Sequence, residues 1–202
     1  MMDKDGLKKL EDCHAILLGS VGMPSVADHI SLWGLLIPIR RAFDQYVNLR
    51  PVKSLKGIDS VLRDKKNIDY LIVRENTEGE YSDIGGIENK NQPDEFVFQK
   101  AIFSKKGTER IVNYAYELAA KRKNKLTSAT KSNGIIHSMT YWDNIVDSIS
   151  KKYPNVTTSR YHIDILSAQI IKNPDWFDVI VASNLFGDIL SDLGPVCKGG
   201  MG

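Results

Sequence analysis

Long hydrophobic runs are absent: no stretch of about 18 apolar residues occurs that could cross a bilayer as a helix. The opening residues, Met1 to Cys13, are polar and charged, unlike a secretory signal. Cysteine is scarce. Cys13 and Cys197 stand near opposite ends without metal-type spacing, and read as two free, buried thiols in a reducing cytoplasm. Charge of one sign is lacking as well. Twenty-seven Lys and Arg against 25 Asp and Glu leave +2, which argues against a nucleic-acid or membrane-surface partner. Neither a Gly-x-Gly-x-x-Gly turn nor a P-loop is present, so those two routes to a nucleotide do not apply. His14, His29, His137 and His162 form no pair at metal or triad spacing and read as structural. His162 and Asp164 would point the same way in a strand, with no nucleophile beside them.

What is there is ordinary for a globular chain: 42% apolar and 26% charged residues over 202 positions. That length suits one good-sized domain, or one domain plus part of another. Ala15 to Leu18, Tyr70 to Val73 and Val179 to Ala182 read as buried strands. Glu95 to Phe103 and Asn155 to Ile163 are β-rich. Thr108 to Lys123 reads as a helix with Ile111, Val112, Ala115, Leu118 and Ala119 on one face, and a second helix runs from Ile135 to Ser150. Strands alternating with helices give an α/β protein. The first 12 residues form a helix-like stub, and Pro195 to Gly202 trail off without a closing element. The first 45 residues or so therefore read as the remnant of a larger domain.

Several constellations could carry chemistry. Asp188 and Asp192 stand four apart in the run Phe186 to Leu193, so on a helix they share a face. Their mutual repulsion favours a hard cation between them, Mg²⁺ or Mn²⁺. Spacing alone also allows a helix cap and a solvated carboxylate. Arg74 ends a buried strand, where ligands bind in α/β sheets. With Arg40, Arg41 and Arg50 it suggests forks for a di- or tricarboxylate, although most Arg pairs are simply solvated. The polar stretch Glu75 to Tyr81 follows Arg74, and Lys131 ends another strand just before a helix. Lys131 could be a base if cations or a metal lowered its pKa. Tyr81 could equally be a core ring, and Lys131 an exposed helix start.

Taken in order, Ile39-Arg40 with Asn48 to Pro51, Val73 to Tyr81, Thr130 to Asn133 and Phe186 to Leu193 resemble the isocitrate/isopropylmalate dehydrogenase family. The resemblance covers essentially the whole chain. Asp28 to Gly34 and Tyr161 to Leu166 point to its tartrate and decarboxylating D-malate dehydrogenase branch. It implies an α/β, isopropylmalate dehydrogenase-like fold: part of a dinucleotide domain over 1–45, a substrate, metal and dimerisation domain over 46–198, and a return towards the first domain at 199–202. It also implies residue roles. Arg40, Arg50 and Arg74 would grip substrate carboxylates, and Asp164, Asp188 and Asp192 would ligate Mg²⁺ or Mn²⁺. Tyr81 would donate a proton and Lys131 would act in the hydroxyl proton relay. Asn133 and Trp33 would lie at the NAD site. Lys131 and Asp164 would serve the neighbouring subunit of a homodimer.

The implied activity is NAD-dependent oxidation of a 2-hydroxy dicarboxylate, D-malate or tartrate, with decarboxylation, in the cytoplasm. Isocitrate fits less well because Gly34 and Leu36 stand where a polar contact would be wanted; isopropylmalate fits less well because Trp33 takes the expected acidic position. The family's opening Gly-rich turn and its later adenosine loop have no counterpart here, so the segments expected to hold most of the dinucleotide are missing. A non-catalytic truncated chain or regulatory subunit is the rival reading. Pro38 falls inside the helix that should present Arg40 and predicts a kink there.

Overall fold

The computed structural model describes residues 2–55, 57, 60, 62 and 67–197, in two compact units, Met1–Tyr46 and Val47–Gly202. The first unit holds three short helices: α1 (Gly6–Glu11), α2 (Asp28–Ser31) and α3 (Ile37–Ala42). Ala15 to Leu18 is not the expected buried strand. It has no regular structure, and Leu17 is fully exposed. Four apolar residues make a strand only where a neighbour completes the ladder, and no described strand lies beside them. Cys13 is exposed rather than buried, whereas Cys197 is buried as expected.

The expected kink at Pro38 gives way to a widened turn. A π-helical stretch, Leu32–Leu36, joins α2 to α3, and the Ile37 N–H reaches back to the Leu32 carbonyl. Pro38 then falls in the first turn of α3, where a missing N–H is tolerated. The Gly34 carbonyl, four residues before Pro38, accepts the Met2 N–H at 3.4 Å instead.

The second unit is built on β1 (Val47–Lys53), β2 (Asp69–Glu75), β5 (Lys125–Thr130), β6 (Thr157–His162) and β7 (Val179–Ala182), in the order β1-β2-β7-β5-β6. β1 runs antiparallel to β2, and the other four are mutually parallel. The helices are α4 (Lys105–Ala120), α5 (Ser138–Ser150), α6 (Ile163–Lys172) and α7 (Asn184–Cys197). α4 and α5 lead the chain one way across the sheet; α6 leads it back. Right-handed crossovers therefore put the two pairs on opposite faces, and α4 packs on α5 while α6 packs on α7. Covered on both sides, β7 is buried at all four residues, as its unbroken apolar run requires.

Local chemistry sets the boundaries. α4 begins three residues before the expected start because Ser104 caps it, accepting the Gly107 N–H at 2.9 Å. It ends at Ala120, ahead of Asn124, whose φ of 55° is left-handed. Its stripe of Ile111, Val112, Ala115, Tyr116 and Ala119 is fully buried; each large side chain contributes roughly 1.5–3 kcal/mol. α5 starts at Ser138, after a turn that occupies 131–137. The segment after His162 turns helical, so Asp164 lies in the first turn of α6 and not in a strand beside His162. Pro195 to Cys197 continue α7 rather than trailing off. The expected return at 199–202 and the boundary at 198 lie outside the described residues. β3 (Gly85–Glu88) and β4 (Phe96–Gln99) form a separate hairpin with Phe96 and Val97 exposed. No described helix is long and apolar enough to cross a membrane.

Candidate active site

Arg74 lies at the carboxyl end of β2, and Lys131, Asp164 and Asp188 follow the carboxyl ends of β5, β6 and β7, the edge at which α/β sheets bind ligands. Along that edge they form two groups. β2 and β6 are three strand spacings apart, roughly 14 Å.

Arg74 anchors the first group. It is 2% exposed, and burial pulls its pKa below the ordinary guanidinium value against the opposing pull of Asp188. Its Nε and Nη2 donate to Asn184 Oδ1 at 3.0 and 2.8 Å, and its Nη1 pairs with Asp188. The Tyr81 hydroxyl donates to the other Asp188 oxygen at 2.8 Å, and the guanidinium carbon lies 5.7 Å from the Tyr81 ring centre. Burial, reinforced by Asp188, raises the Tyr81 pKa. A methyl group at Gly187 would stand 2.6 Å from Arg74 Cβ, so glycine is what lets α7 approach this side chain.

Arg50 lies on the same face of the sheet, because Asn48 sits opposite Arg74 and Arg50 opposite Ile72. Its Nε donates to Asn48 Oδ1 at 2.8 Å, and Asn48 donates in turn to Asn76 at 3.3 Å. Asp188 and Asp192 are one turn apart on α7, with Asp192 exposed. Carboxylate oxygens suit a hard divalent cation, but no three described His, Cys, Asp or Glu residues gather closely enough to hold one. Asp164 belongs to the second group. Its Oδ1 lies 2.9 Å from Lys131 Nζ, and this ammonium holds the Asp164 pKa below the ordinary carboxylate value. Asn133 is exposed in the turn after β5. Arg40 and Trp33 belong to the first unit. Arg40 is half-buried in α3, and the guanidinium of Arg41 sits 5.2 Å from the Trp33 ring centre.

Sequence reasoning marked the stretch Glu75 to Tyr81 but gave no individual role to four residues that build the first group. Glu75 accepts the backbone N–H groups of Thr77 and Glu78, at 3.0 and 2.8 Å, and folds the loop onto itself. Glu78, whose pKa is raised by burial, accepts the Ser104 hydroxyl at 2.7 Å and ties the loop to the start of α4. Glu80 accepts the Ser183 hydroxyl at 2.6 Å and the Leu185 N–H at 3.0 Å, tying it to the start of α7. Asn184 completes the set. Its place two residues after a buried strand, at the start of a helix, was the available signal.

A family model described as isocitrate/isopropylmalate dehydrogenase matches residues 1–202. The chain is 52% identical to the D-malate dehydrogenase [decarboxylating] of Escherichia coli K12, over all of this chain and 57% of that protein. It is also 52% identical to the tartrate dehydrogenase/decarboxylase of Pseudomonas putida, with the same coverage. The chain thus spans little more than half the length of these relatives. Among solved structures, the isocitrate dehydrogenase of Methylococcus capsulatus superposes with a TM-score of 0.77 at 32% identity, over 89% of this chain and 52% of that one. A protein of Thermus thermophilus superposes with a TM-score of 0.87 at 29% identity, over 98% and 39% respectively. With its strand order, its helix-borne aspartates and a match from end to end, the chain belongs to the isocitrate/isopropylmalate dehydrogenase family.

Proposed function

We propose that this chain supplies the substrate and metal half of an NAD-dependent, Mg²⁺- or Mn²⁺-assisted enzyme that oxidises and decarboxylates D-malate or tartrate. The observation that carries the reading is a buried guanidinium sharing one carboxylate with a tyrosine hydroxyl at the ligand edge of the sheet. Met1–Tyr46 would be part of the dinucleotide domain, with Trp33 and Asn133 towards NAD and Arg40 towards substrate. The unit from Val47 would bind substrate and metal.

Each residue then has a task. Arg74 and Arg50 bind the substrate carboxylates and fix which carbon faces the site. Asp188 and Asp192 would hold the cation together with Asp164 of the neighbouring subunit. When bound, NAD would supply the hydride acceptor and the cation a Lewis acid that withdraws electron density from the substrate. Lys131 of the neighbouring subunit would act in the relay that carries the hydroxyl proton away. Tyr81, kept protonated by burial and by Asp188, returns a proton to the carbon that loses CO₂.

A homodimer with shared sites accounts for the separation of the Lys131–Asp164 pair from Arg74. It also accounts for apolar side chains left exposed on neighbouring helices: Ile165 and Ile171 on α6, and Ile189 and Val196 on α7. Calorimetric titration of D-malate and tartrate with Mn²⁺ tests the reading. Binding is expected, and Arg74→Lys, which keeps the charge but loses the fork, weakens it by about tenfold or more. Equal affinity in the two forms would remove Arg74 from the substrate site.

A further inference from the structure

Asn184 is 2% exposed and uses its amide in two directions. Its Oδ1 takes both Nε–H and an Nη2–H of Arg74, at 3.0 and 2.8 Å. Its Nδ2 donates to the Glu78 carbonyl at 2.9 Å. Arg74 can only donate and the carbonyl can only accept, so the amide has one permitted orientation. The Glu78 carbonyl directly precedes Gly79, whose φ of 88° turns the loop towards Asn184; a Cβ there would lie 3.3 Å from that of Asn184. Two residues on is Tyr81. A single side chain thus touches the guanidinium and the loop that carries the tyrosine, and stands one helical turn before Asp188.

We infer that Asn184 is a positioning residue that fixes how Arg74 meets a carboxylate, an inference that rests on the substrate site proposed above. A guanidinium offers a carboxylate two forked edges: Nε with Nη2, and Nη1 with Nη2. Asn184 occupies the first. Substrate is left the Nη1/Nη2 end, beside the Tyr81 ring, where it would share or take over the Nη1 donor that now pairs with Asp188. Without Asn184 the buried guanidinium would have a second edge to satisfy and a second orientation in which to satisfy it. Substrate would then meet a mixture of orientations.

The test is a double-mutant cycle read by D-malate and tartrate binding in the presence of Mn²⁺. Asn184→Ala is expected to weaken binding by about tenfold or more, the scale of a lost hydrogen bond to a charged group. In an Arg74→Lys background the same change should add less than about threefold, because Asn184 acts through the fork that background lacks. Multiplying effects, or an Asn184→Ala affinity within about twofold of the parent, would overturn the inference. If Asn184→Ala fails to fold, Asn184→Ser carries the same cycle with the same criteria. A second readout needs no substrate. The Arg74 Nε–H, buried and held by Asn184, should give a proton resonance protected from exchange in the parent and lost in the variant. If the parent binds neither acid, the substrate reading falls, and this resonance still decides whether Asn184 holds Arg74. Its persistence in Asn184→Ala or Asn184→Ser would refute the positioning role.

Discussion

Gly187→Ala separates helix propensity from packing, because the two predict opposite signs. Gly187 is the fourth residue of α7, where alanine would ordinarily stabilise a helix by about 1 kcal/mol. Its new methyl group, however, would stand 2.6, 2.7 and 3.1 Å from Cβ, Cγ and Cα of Arg74. Carbon atoms sit at about 3.5–4.0 Å, so α7 and β2 would have to part by about 1 Å. Arg74 cannot swing clear, because it is buried and both hydrogen bonds to Asn184 hold it. Overpacking costs about 1–3 kcal/mol, and a stretched hydrogen bond to a charged group about 1.5–3 kcal/mol. Against the propensity gain, a net loss of about 1.5–5 kcal/mol is expected. Urea unfolding followed by Trp142 fluorescence reads it, since that ring is 1% exposed inside the second unit and its Nε1–H is held by Ser128 at 3.0 Å. A variant more stable than the parent would show that α7 does not approach β2 as closely as described.

Four further outcomes follow. Arg122 pairs with Asp69 at 2.9 Å and with the fully buried carboxylate of Asp178 at 2.7 Å. Arg122→Ala should therefore cost about 3–5 kcal/mol in urea unfolding, and a loss under 1 kcal/mol would contradict a buried pair. The hydrogen bond from Arg122 lowers the Asp69 pKa. Its stabilisation is present above the ordinary carboxylate value and is lost as pH falls through the lower folded value. Asp69→Asn should flatten the acid limb of stability against pH, and an unchanged limb would count against the assignment. Pro38→Ala should change stability by less than about 1 kcal/mol, because the π turn has already absorbed the missing N–H; a gain near 3 kcal/mol would restore the kink. Finally, the proposed homodimer with shared sites predicts that inactive Tyr81→Phe and Lys131→Met forms of the whole protein, mixed and reassembled, recover about one quarter of parental activity, since half of such dimers would carry one intact site. No recovery would mean that each site is built within one subunit.

Legibility from sequence tracked how local each feature is. β2 and β7 were readable because a strand buried on both faces must be an apolar run. The shared face of Asp188 and Asp192 followed from helical spacing alone. Ala15 to Leu18 has the same local signature as β7, and only the absence of a described neighbouring strand tells them apart. α6 was hidden by Ile163 and Ile165, whose β-branching favours a strand until Leu166 and Ile170 are seen buried on a helical face. Glu75, Glu78 and Glu80 look alike in sequence, yet each satisfies a different set of backbone or hydroxyl donors. Asn184 matters through Arg74 and the Glu78 carbonyl, 110 and 106 positions away, a separation that no spacing rule reaches.

The two groups at the sheet edge differ in how firmly they are held, and the proposed division of labour requires that difference. Arg74 is fixed by a buried amide, a carboxylate and an aromatic face, and the loop of Tyr81 is pinned to α4 and α7 by Glu78 and Glu80. Such a group keeps the guanidinium and the tyrosine in one fixed relation, which is what orientation demands. Lys131 and Asp164 instead neutralise each other in the open, with side chains 29% and 59% exposed. Exposed ion pairs hold weakly and are screened by salt. Separating them to serve a partner's site costs little, whereas withdrawing Arg74 would leave a buried charge without its partners. Arg74 and the loop of Tyr81, assigned to the chain's own site, are thus held rigidly. Those assigned to the neighbouring subunit are the ones that the fold leaves free to exchange partners.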